Sequence, residues 1–321
     1  MFPFILFGEI GQEKKCPYHV LSGERHTYYR ITYSYPYDLN EDILFIYDVF
    51  YESLNPFDRQ STVSKVNNNE PVILDSMFIE AFNHSISLAQ KTKGVFDPTI
   101  APLINHWGFG FEASKDKEID SIKEYVGYEK ISIENERVVK SDPRVQLNFS
   151  AMGDGFSCEL IARYLDRKGV ENYMVDIGGE IITKGKNRTG SDWSVGILKP
   201  PVDLGQEASR FEAIVRLNGR ICLATSGNYN NYRTKNGKKY GHTINPLTGT
   251  PVDNDILSAT VIASDCVTAD AYATAIMSVE DDKLDDLLKT EPSLDYYLIC
   301  KEKSQSDNYS IKQSTGMRKY L

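Results

Sequence analysis

The sequence is poor in the residues that build zinc and redox sites. Its 321 residues include only five cysteines and five histidines, and no Cys-x-x-Cys pair occurs. The cysteines are too far apart along the chain for a zinc or dithiol motif, and they are odd in number. They are Cys16, Cys158, Cys222, Cys266 and Cys300. Four of them stand among apolar or small residues, which predicts buried thiols.

Positive charge and long apolar runs are also scarce. Lysine and arginine total 36 against 45 aspartates and glutamates, for a net charge of -9. This balance argues against nucleic acid as a partner. No apolar run is long enough to span a membrane. Residues 1–22 begin with the short apolar run Phe2–Phe7. They fit either the remnant of an export or lipoprotein signal or an ordinary N-terminus.

What the chain does contain is enough apolar sequence, 41%, for a sizeable core. Hydrophobic spacing predicts helices over Glu41–Leu54 (capped by Asn40), Asp75–Lys91, Lys115–Gly127, Met152–Arg167 and Asp281–Lys289. It predicts strands over Thr27–Tyr33, Val145–Phe149, Tyr173–Ile177, Ile181–Thr183, Trp193–Leu198, Tyr296–Lys301 and Tyr309–Ile311. Hairpins are expected across Asn135-Glu136 and Asn218-Gly219, with polar loops at Asn55–Asn69 and Leu198–Arg210. Strands and helices do not alternate as βαβ units, so we expect one α+β domain over residues 23–321, with mostly antiparallel sheets and packed helices.

The stretch Ser258–Val279 is the strongest single candidate for a ligand site. It begins with alternating strand residues and turns through Ser264–Thr268 into a helix rich in alanine. Asp270 and Thr274 stand four residues apart and share one helix face. A carboxylate and a hydroxyl without histidine or cysteine suit a hard cation such as magnesium. The alternative is structural, with the aspartate near a helix start and the threonine bonded to backbone.

Three further segments carry more unusual residues than packing requires. Gly94–Phe111 is rich in glycine and aromatics and predicts a shaped wall. Asn148–Glu159 places small residues at a strand-to-helix junction, which is either an anion site or a tight turn. Ala224–Gly249 holds His242 beside a turn, where it is either a general base or a surface residue. These features indicate a phosphorylated aromatic ligand and a magnesium ion.

Seven blocks in this order resemble the ApbE family, the FAD:protein FMN transferases. The blocks are GVFDPTIAPLINHWGFG, SAMGDGFSCELIARYL, YMVDIGGEIITKG, DWSVGILKP, ATSGNYNNY, GHTINPLTGTPV and TADAYATA. The similarity extends from about Thr27 to Val279. It implies an ApbE-like fold related to the T-fold, and a magnesium-dependent transfer of FMN from FAD to a threonine hydroxyl of a flavoprotein, with release of AMP.

The resemblance also implies roles for individual residues. His242 and Asp270 match catalytic positions, and Ala151, Asp270 and Thr274 match metal ligands. Positions that match FAD contacts are Arg25, Phe57, Val95, Phe96, Asp97, Asn148, Asp154 and Ile244. The chain departs from the family pattern at several positions, where other members commonly have methionine for Arg25, tyrosine for Phe57, aspartate for Asn148 and Asn245, lysine for Asp154 and arginine for Asn230.

Two other activities are compatible with the same blocks. Some family members hydrolyse FAD to FMN and AMP, and a flavin-binding lipoprotein without turnover would also keep the pocket. By resemblance we expect a bacterial periplasmic location with a lipoprotein tether to the inner membrane. The expected acceptors are subunits of membrane redox complexes of the Rnf and Nqr type, and a dimer is compatible with the family.

Overall fold

The computed structural model describes residues 16–112, 118–200, 210–227, 232–235, 238–241, 243–302 and 309–321, with the backbone alone for 232–235 and 238–240. Within these ranges the chain forms strands and α-helices that do not follow a βαβ alternation. None of the described helices is both long and apolar enough to cross a membrane. The arrangement confirms the α+β class.

The strands in chain order are β1 (Tyr18–Arg25), β2 (Thr27–Ser34), β3 (Ile131–Glu134), β4 (Arg137–Lys140), β5 (Asn172–Ile177), β6 (Glu180–Lys184), β7 (Trp193–Leu198), β8 (Phe211–Leu217), β9 (Ile221–Gly227), β10 (Tyr232–Lys235), β11 (Lys238–Gly241), β12 (Ile256–Ala263), β13 (Asp295–Lys301) and β14 (Tyr309–Gln313). The helices are α1 (Asn40–Leu54), α2 (Thr62–Asn67), α3 (Ser76–Lys91), α4 (Ala101–His106), α5 (Ile119–Lys123), α6 (Ser150–Arg167), α7 (Cys266–Ser278) and α8 (Leu284–Leu288).

One eight-stranded sheet organises the fold. Its spatial order is β1-β2-β5-β6-β9-β12-β13-β14, and every neighbouring pair is antiparallel. The pairs β3–β4, β7–β8 and β10–β11 form separate two-stranded sheets. Because β12 lies between β9 and β13, the strand that feeds α7 is held on both sides by ladder hydrogen bonds.

The two faces of the large sheet are covered by different elements. Helices α6 and α7 pack on one face and on each other, with Phe156, Ile161 and Ile276 fully buried in the main core. Trp193 and Val215 of the β7–β8 pair join Ile262 in a second cluster on the other face. Residues of β12 alternate between the two cores, as the period of two requires.

The junction from β12 to α7 follows the predicted pattern. The Asp265 side chain accepts a hydrogen bond from the Thr268 backbone N–H at 2.8 Å and caps the helix. The helix begins at Cys266, three residues before the predicted start, because this cap lies earlier than the alanine-rich run. Eleven of its thirteen residues are buried. The helix therefore packs against neighbouring elements on almost all its faces.

The prediction that the strands on either side of Asn218-Gly219 pair as a hairpin is wrong. Gly219 has a positive φ of 92°, as a turn there requires. However, β8 pairs with β7, while β9 pairs with β6 and β12 in the large sheet. The turn therefore carries the chain from one sheet to another, which local sequence does not reveal. The hairpin across Asn135-Glu136 is confirmed by the β3–β4 register.

Several element boundaries also differ from expectation. Asn40 is the first residue of α1 and not its cap, because Asp38 accepts from the Asn40 N–H. The loop at 55–69 contains α2, which Ser61 caps. Residues 145–149 form no strand, since their only pairing is a bridge from Gln146 to Ile100. The predicted helix over 115–127 is described only as the short α5, residues 113–117 being outside the description.

The remaining helix and thiol predictions are largely confirmed. Helix α3 begins after the Asp75 cap, whose carboxylate accepts from the Phe78 N–H at 2.7 Å. Helix α6 ends before Gly169, which has a positive φ. Cys158, Cys222 and Cys266 are buried, whereas Cys300 is half-buried and Cys16 is exposed. Burial raises the pKa of the Cys158 thiol to about 11, which keeps it protonated and unreactive.

Candidate functional site

A cavity of about 640 Å³ lies between α4, the start of α6, the end of β9 and α7. Its volume is within the range of cofactor-sized pockets. Its lining residues are Phe57, Val95, Phe96, Asp97, Ile100, Ile104, Phe109, Asn148, Ser150, Ala151, Ser226, Thr243, Ile244, Pro246, Thr274, Met277 and Ser278. The four segments that stood out in the sequence, distant along the chain, therefore meet at one place.

The segment Gly94–Phe111 forms the apolar wall of this cavity. Val95, Phe96 and Phe109 face it, together with Ile100 and Ile104. Ile244 and Met277 extend the same apolar character to neighbouring elements. A flat aromatic ring system would bury its faces against such a wall.

Asp97 holds this wall in shape. Its Oδ1 accepts from the Thr99 N–H and hydroxyl at 2.8 and 2.6 Å, and its Oδ2 accepts from the Tyr128 N–H at 2.9 Å. Burial raises the pKa of Asp97, while the hydrogen bonds from Thr99 oppose that rise. Both oxygens of Asp97 therefore hold the loop in place, and its contact with FAD stays a prediction.

The opposite end of the cavity is polar and lies at the N-terminus of α6. The Asn148 side chain accepts from the Ser150 N–H at 2.7 Å just before the helix begins, and Ala151 faces the cavity one residue later. Small residues leave this end of the eighteen-residue helix accessible. The helix dipole makes such an end favourable for phosphate.

Helix α7 places Asp270 and Thr274 on its side towards α6. The Thr274 hydroxyl lines the cavity, whereas Asp270 lies deeper, its Oδ2 accepting from the Gly155 N–H of α6 at 2.9 Å. The close approach depends on Gly155, because a Cβ there would lie 2.4 Å from the Cys266 carbonyl oxygen. Asp270 therefore joins the two helices immediately behind the polar end.

A group of buried and half-buried carboxylates surrounds this joint. A Cβ on Gly178 would lie 2.5 Å from Asp154 Oδ2 and 3.1 Å from Glu180 Oε2, so both carboxylates face this glycine. Burial raises the pKa of Asp154 to about 6. The pKa of Glu180 is raised first by burial, then by the charges of Asp270 and Asp154. For Asp270, burial raises the pKa, the Gly155 hydrogen bond opposes it, and the charge of Asp154 adds to it. The region therefore favours a positively charged ligand.

The oxygen donors at this end suit a hard cation. Asp270 offers a carboxylate, Thr274 a hydroxyl and Ala151 a backbone carbonyl, and magnesium prefers such ligands. Among the residues that the structure describes, no three histidine, cysteine, aspartate or glutamate side chains form a metal-binding group. A cation here would therefore take few ligands from the protein and the rest from a substrate phosphate and water.

The structure brings together most of the residues that the sequence singled out. Phe57, Val95, Phe96, Asp97, Asn148, Ala151, Ile244 and Thr274 all line the cavity. Asp154 instead faces a smaller neighbouring cavity of about 170 Å³, which shares Phe57 and Ser150 with the first. Their roles in binding stay predictions.

Asp270 lies behind the cavity and is not among its lining residues, and neither is Arg25. The Arg25 guanidinium forms an ion pair with Asp48. Its contact with FAD stays a prediction. His242 lies outside the described residues, between Gly241 and Thr243. The adjacent Thr243 and Ile244 face the cavity.

Sequence reasoning missed several lining residues. Met277 and Ser278 follow Thr274 by three and four residues, so helical spacing could have identified them. Only one feature of the sequence indicated Ser226, which is its place in the unusual segment Ala224–Gly249. Its hydroxyl is 3.2 Å from the Thr274 hydroxyl, a contact between elements that no local pattern predicts.

Comparisons with known proteins agree with this geometry. A family model described as the ApbE family matches residues 26–298. The FAD:protein FMN transferase of Vibrio cholerae is 35% identical over 240 residues, covering 72% of this chain and 70% of the relative. The corresponding Haemophilus influenzae protein is 32% identical over 281 residues, covering 84% and 79%.

A solved structure extends the likeness to three dimensions. The flavin transferase ApbE from Vibrio cholerae superposes with a TM-score of 0.82 at 30% identity, covering 95% of this chain and 99% of that one. The shared fold, the matched length and the sequence identity point to the same protein class. The chain therefore belongs to the ApbE family and is a transferase.

Proposed function

We propose that the protein transfers FMN from FAD to a threonine hydroxyl of a flavoprotein. The cavity carries this proposal, because one space joins an apolar wall for the flavin ring to a helix N-terminus for phosphate. FAD has these two parts in one molecule. The names of the relatives, FAD:protein FMN transferase, support the same substrate.

The reaction exchanges the phosphoanhydride bond of FAD for a phosphate ester bond to the acceptor. The acceptor oxygen bonds to the FMN phosphorus, the bond from that phosphorus to the bridging pyrophosphate oxygen breaks, and AMP leaves with the electron pair. The acceptor proton must go to a base, and His242 is the candidate because it precedes the cavity residues Thr243 and Ile244. The start of α6 stabilises negative charge on the transferred phosphate.

Magnesium is the cation that we propose for the polar end, held by Asp270, Thr274 and the Ala151 carbonyl. When bound, it would neutralise charge on the pyrophosphate and favour departure of AMP. The oxygen-only donor set and the carboxylates that lie behind it support this choice. The acceptor threonine, its carrier in membrane redox complexes and a periplasmic location stay predictions from the family resemblance.

One assay tests the transfer. The protein is incubated with FAD, magnesium and a candidate acceptor, and flavin fluorescence of the acceptor is read after denaturing electrophoresis while AMP is quantified. Labelled acceptor and equimolar AMP are expected. AMP with free FMN and no label would replace transfer by hydrolysis, and FAD binding without AMP would refute both.

The metal assignment has its own variant. Asp270→Ala should reduce turnover by about 100-fold or more, the scale of losing one group that stabilises transition-state charge. Asp285→Ala is the control, because Asp285 is an exposed aspartate paired with Lys312 outside the cavity. Full activity of Asp270→Ala would refute the metal assignment.

A further inference from the structure

We propose that Ser226 is a positioning residue that sets the direction of the Thr274 hydroxyl towards the cation; this rests on the proposed function. The two side-chain oxygens lie 3.2 Å apart and both residues line the large cavity. The contact joins the end of β9 to the middle of α7, so it links the sheet to the helix that carries the proposed ligand.

The strand register explains why Ser226 reaches this position. Ser226 pairs with Ala259 of β12, whose small side chain lies in the main core below α7. The neighbouring residue Thr225 points to the opposite face of the sheet, because side chains alternate along a strand. Its hydroxyl contacts Thr260 at 2.9 Å. The same two strands therefore carry two hydroxyl pairs, and only the pair with Ser226 faces the cavity.

The hydrogen-bonding capacity of a hydroxyl gives Ser226 its role. A threonine hydroxyl has one proton and two lone pairs. In a helix this proton often goes to the backbone carbonyl four residues earlier, which turns the oxygen along the helix. Here Thr274 makes its hydroxyl contact with Ser226 across the gap to β9. If Ser226 accepts the proton, both lone pairs of Thr274 stay available to a cation.

The reverse arrangement would oppose cation binding. With Ser226 as the donor, one Thr274 lone pair is used and the threonine proton is free to point at the cation. A bound cation therefore selects the arrangement in which Thr274 donates to Ser226. The Thr274 carbonyl accepts from the Ser278 hydroxyl at 2.7 Å, which holds this helix turn from the other side. The Ser226 oxygen thus acts on the cation only through Thr274.

The test measures metal binding directly. Mn²⁺, which shares the preference for oxygen ligands, is titrated into the FAD complex and free Mn²⁺ is read by electron paramagnetic resonance. Ser226→Ala should weaken Mn²⁺ binding by about two- to tenfold, the equivalent of one hydrogen bond. Ser226→Thr keeps the hydroxyl and should restore binding. Thr225→Ala removes the matched hydroxyl pair outside the cavity and should leave Mn²⁺ affinity unchanged.

A second measurement separates positioning from direct FAD contact. FAD affinity is measured in EDTA, where Ser226→Ala should match the wild type. The proposed role of Ser226 alone would be overturned if Ser226→Ala and the wild type bound Mn²⁺ with equal affinity. It would also be overturned if Ser226→Ala lost as much affinity for FAD in EDTA as it lost for Mn²⁺. A wild-type protein that binds no Mn²⁺ in the FAD complex would overturn the metal part of the proposed function, and this inference with it.

Discussion

The carboxylate of Asp154 lies close to other carboxylates of the site. It is half-buried on α6, its Oδ2 faces Gly178, and Glu180 and Asp270 lie in the same region. Burial raises its pKa to about 6 from an ordinary value near 4. The folded protein therefore resists ionisation of Asp154. The resulting destabilisation of the folded state reaches its full size above pH 6 and is absent below about pH 4.

Asp154→Asn should remove this pH-dependent cost. At pH 7.5 we expect the variant to be more stable by about 1–3 kcal/mol, and at pH 4.5 by about a third of that amount. The measurement is urea unfolding at both pH values in EDTA, which removes any bound metal. A difference that does not change with pH would contradict a pKa near 6 for this group.

At the scale of elements, the contact between α6 and α7 holds the polar end together. Gly155→Ala would place a Cβ 2.4 Å from the Cys266 carbonyl oxygen and 2.7 Å from the Asp270 Cβ, so the helices must separate. We expect a loss of about 1–3 kcal/mol in unfolding free energy. Loss of metal-dependent turnover should accompany it, because Asp270 moves with α7.

Gly153→Ala on the same helix provides the matched control. A Cβ at Gly153 would meet only Phe50, at an ordinary distance of 3.6 Å. Alanine is the better helix former by about 1 kcal/mol, so this variant should be as stable as the wild type or more stable. Thermal unfolding of both variants and the wild type measures these differences in stability. Equal stability of the two would show that the helices can adjust without cost.

The sequence predicted elements where the local signal and the tertiary environment agree. The strand β12, its turn and α7 were predicted because the period changes from two to 3.6 within one stretch. The pairing of β8 could not be predicted, since a turn signal between two strands does not determine which sheet each one joins. For the same reason Ser226 was missed, because its contact with Thr274 depends on the position of β9 beside α7.

At the scale of the whole molecule, the site unites elements that are far apart in the chain. The α6 start provides the phosphate end, α7 provides Asp270 and Thr274, and Gly94–Phe111 provides the wall. One antiparallel sheet holds both helices in place. A substrate that contacts both the wall and the polar end therefore stabilises the packing of the domain when it binds.

FAD and magnesium should consequently stabilise the fold cooperatively. A ligand at 100 times its Kd adds about 2.7 kcal/mol to the unfolding free energy, which raises Tm by several degrees in a chain of this size. FAD alone should raise Tm, and magnesium should raise it further only when FAD is present, because pyrophosphate completes its ligands. Differential scanning fluorimetry with each ligand alone and together measures this.

Two threonines on α7 make the coupling test specific. Thr274→Val should abolish the increase in Tm that magnesium causes in the presence of FAD. It should keep most of the increase in Tm that FAD causes alone, because valine preserves the shape of the side chain and removes the oxygen. Thr268→Val is the control, since Thr268 is on the same helix and does not line the cavity. An undiminished magnesium increment in Thr274→Val would exclude this hydroxyl as a ligand. A magnesium increment of equal size without FAD would instead locate the cation away from the pyrophosphate.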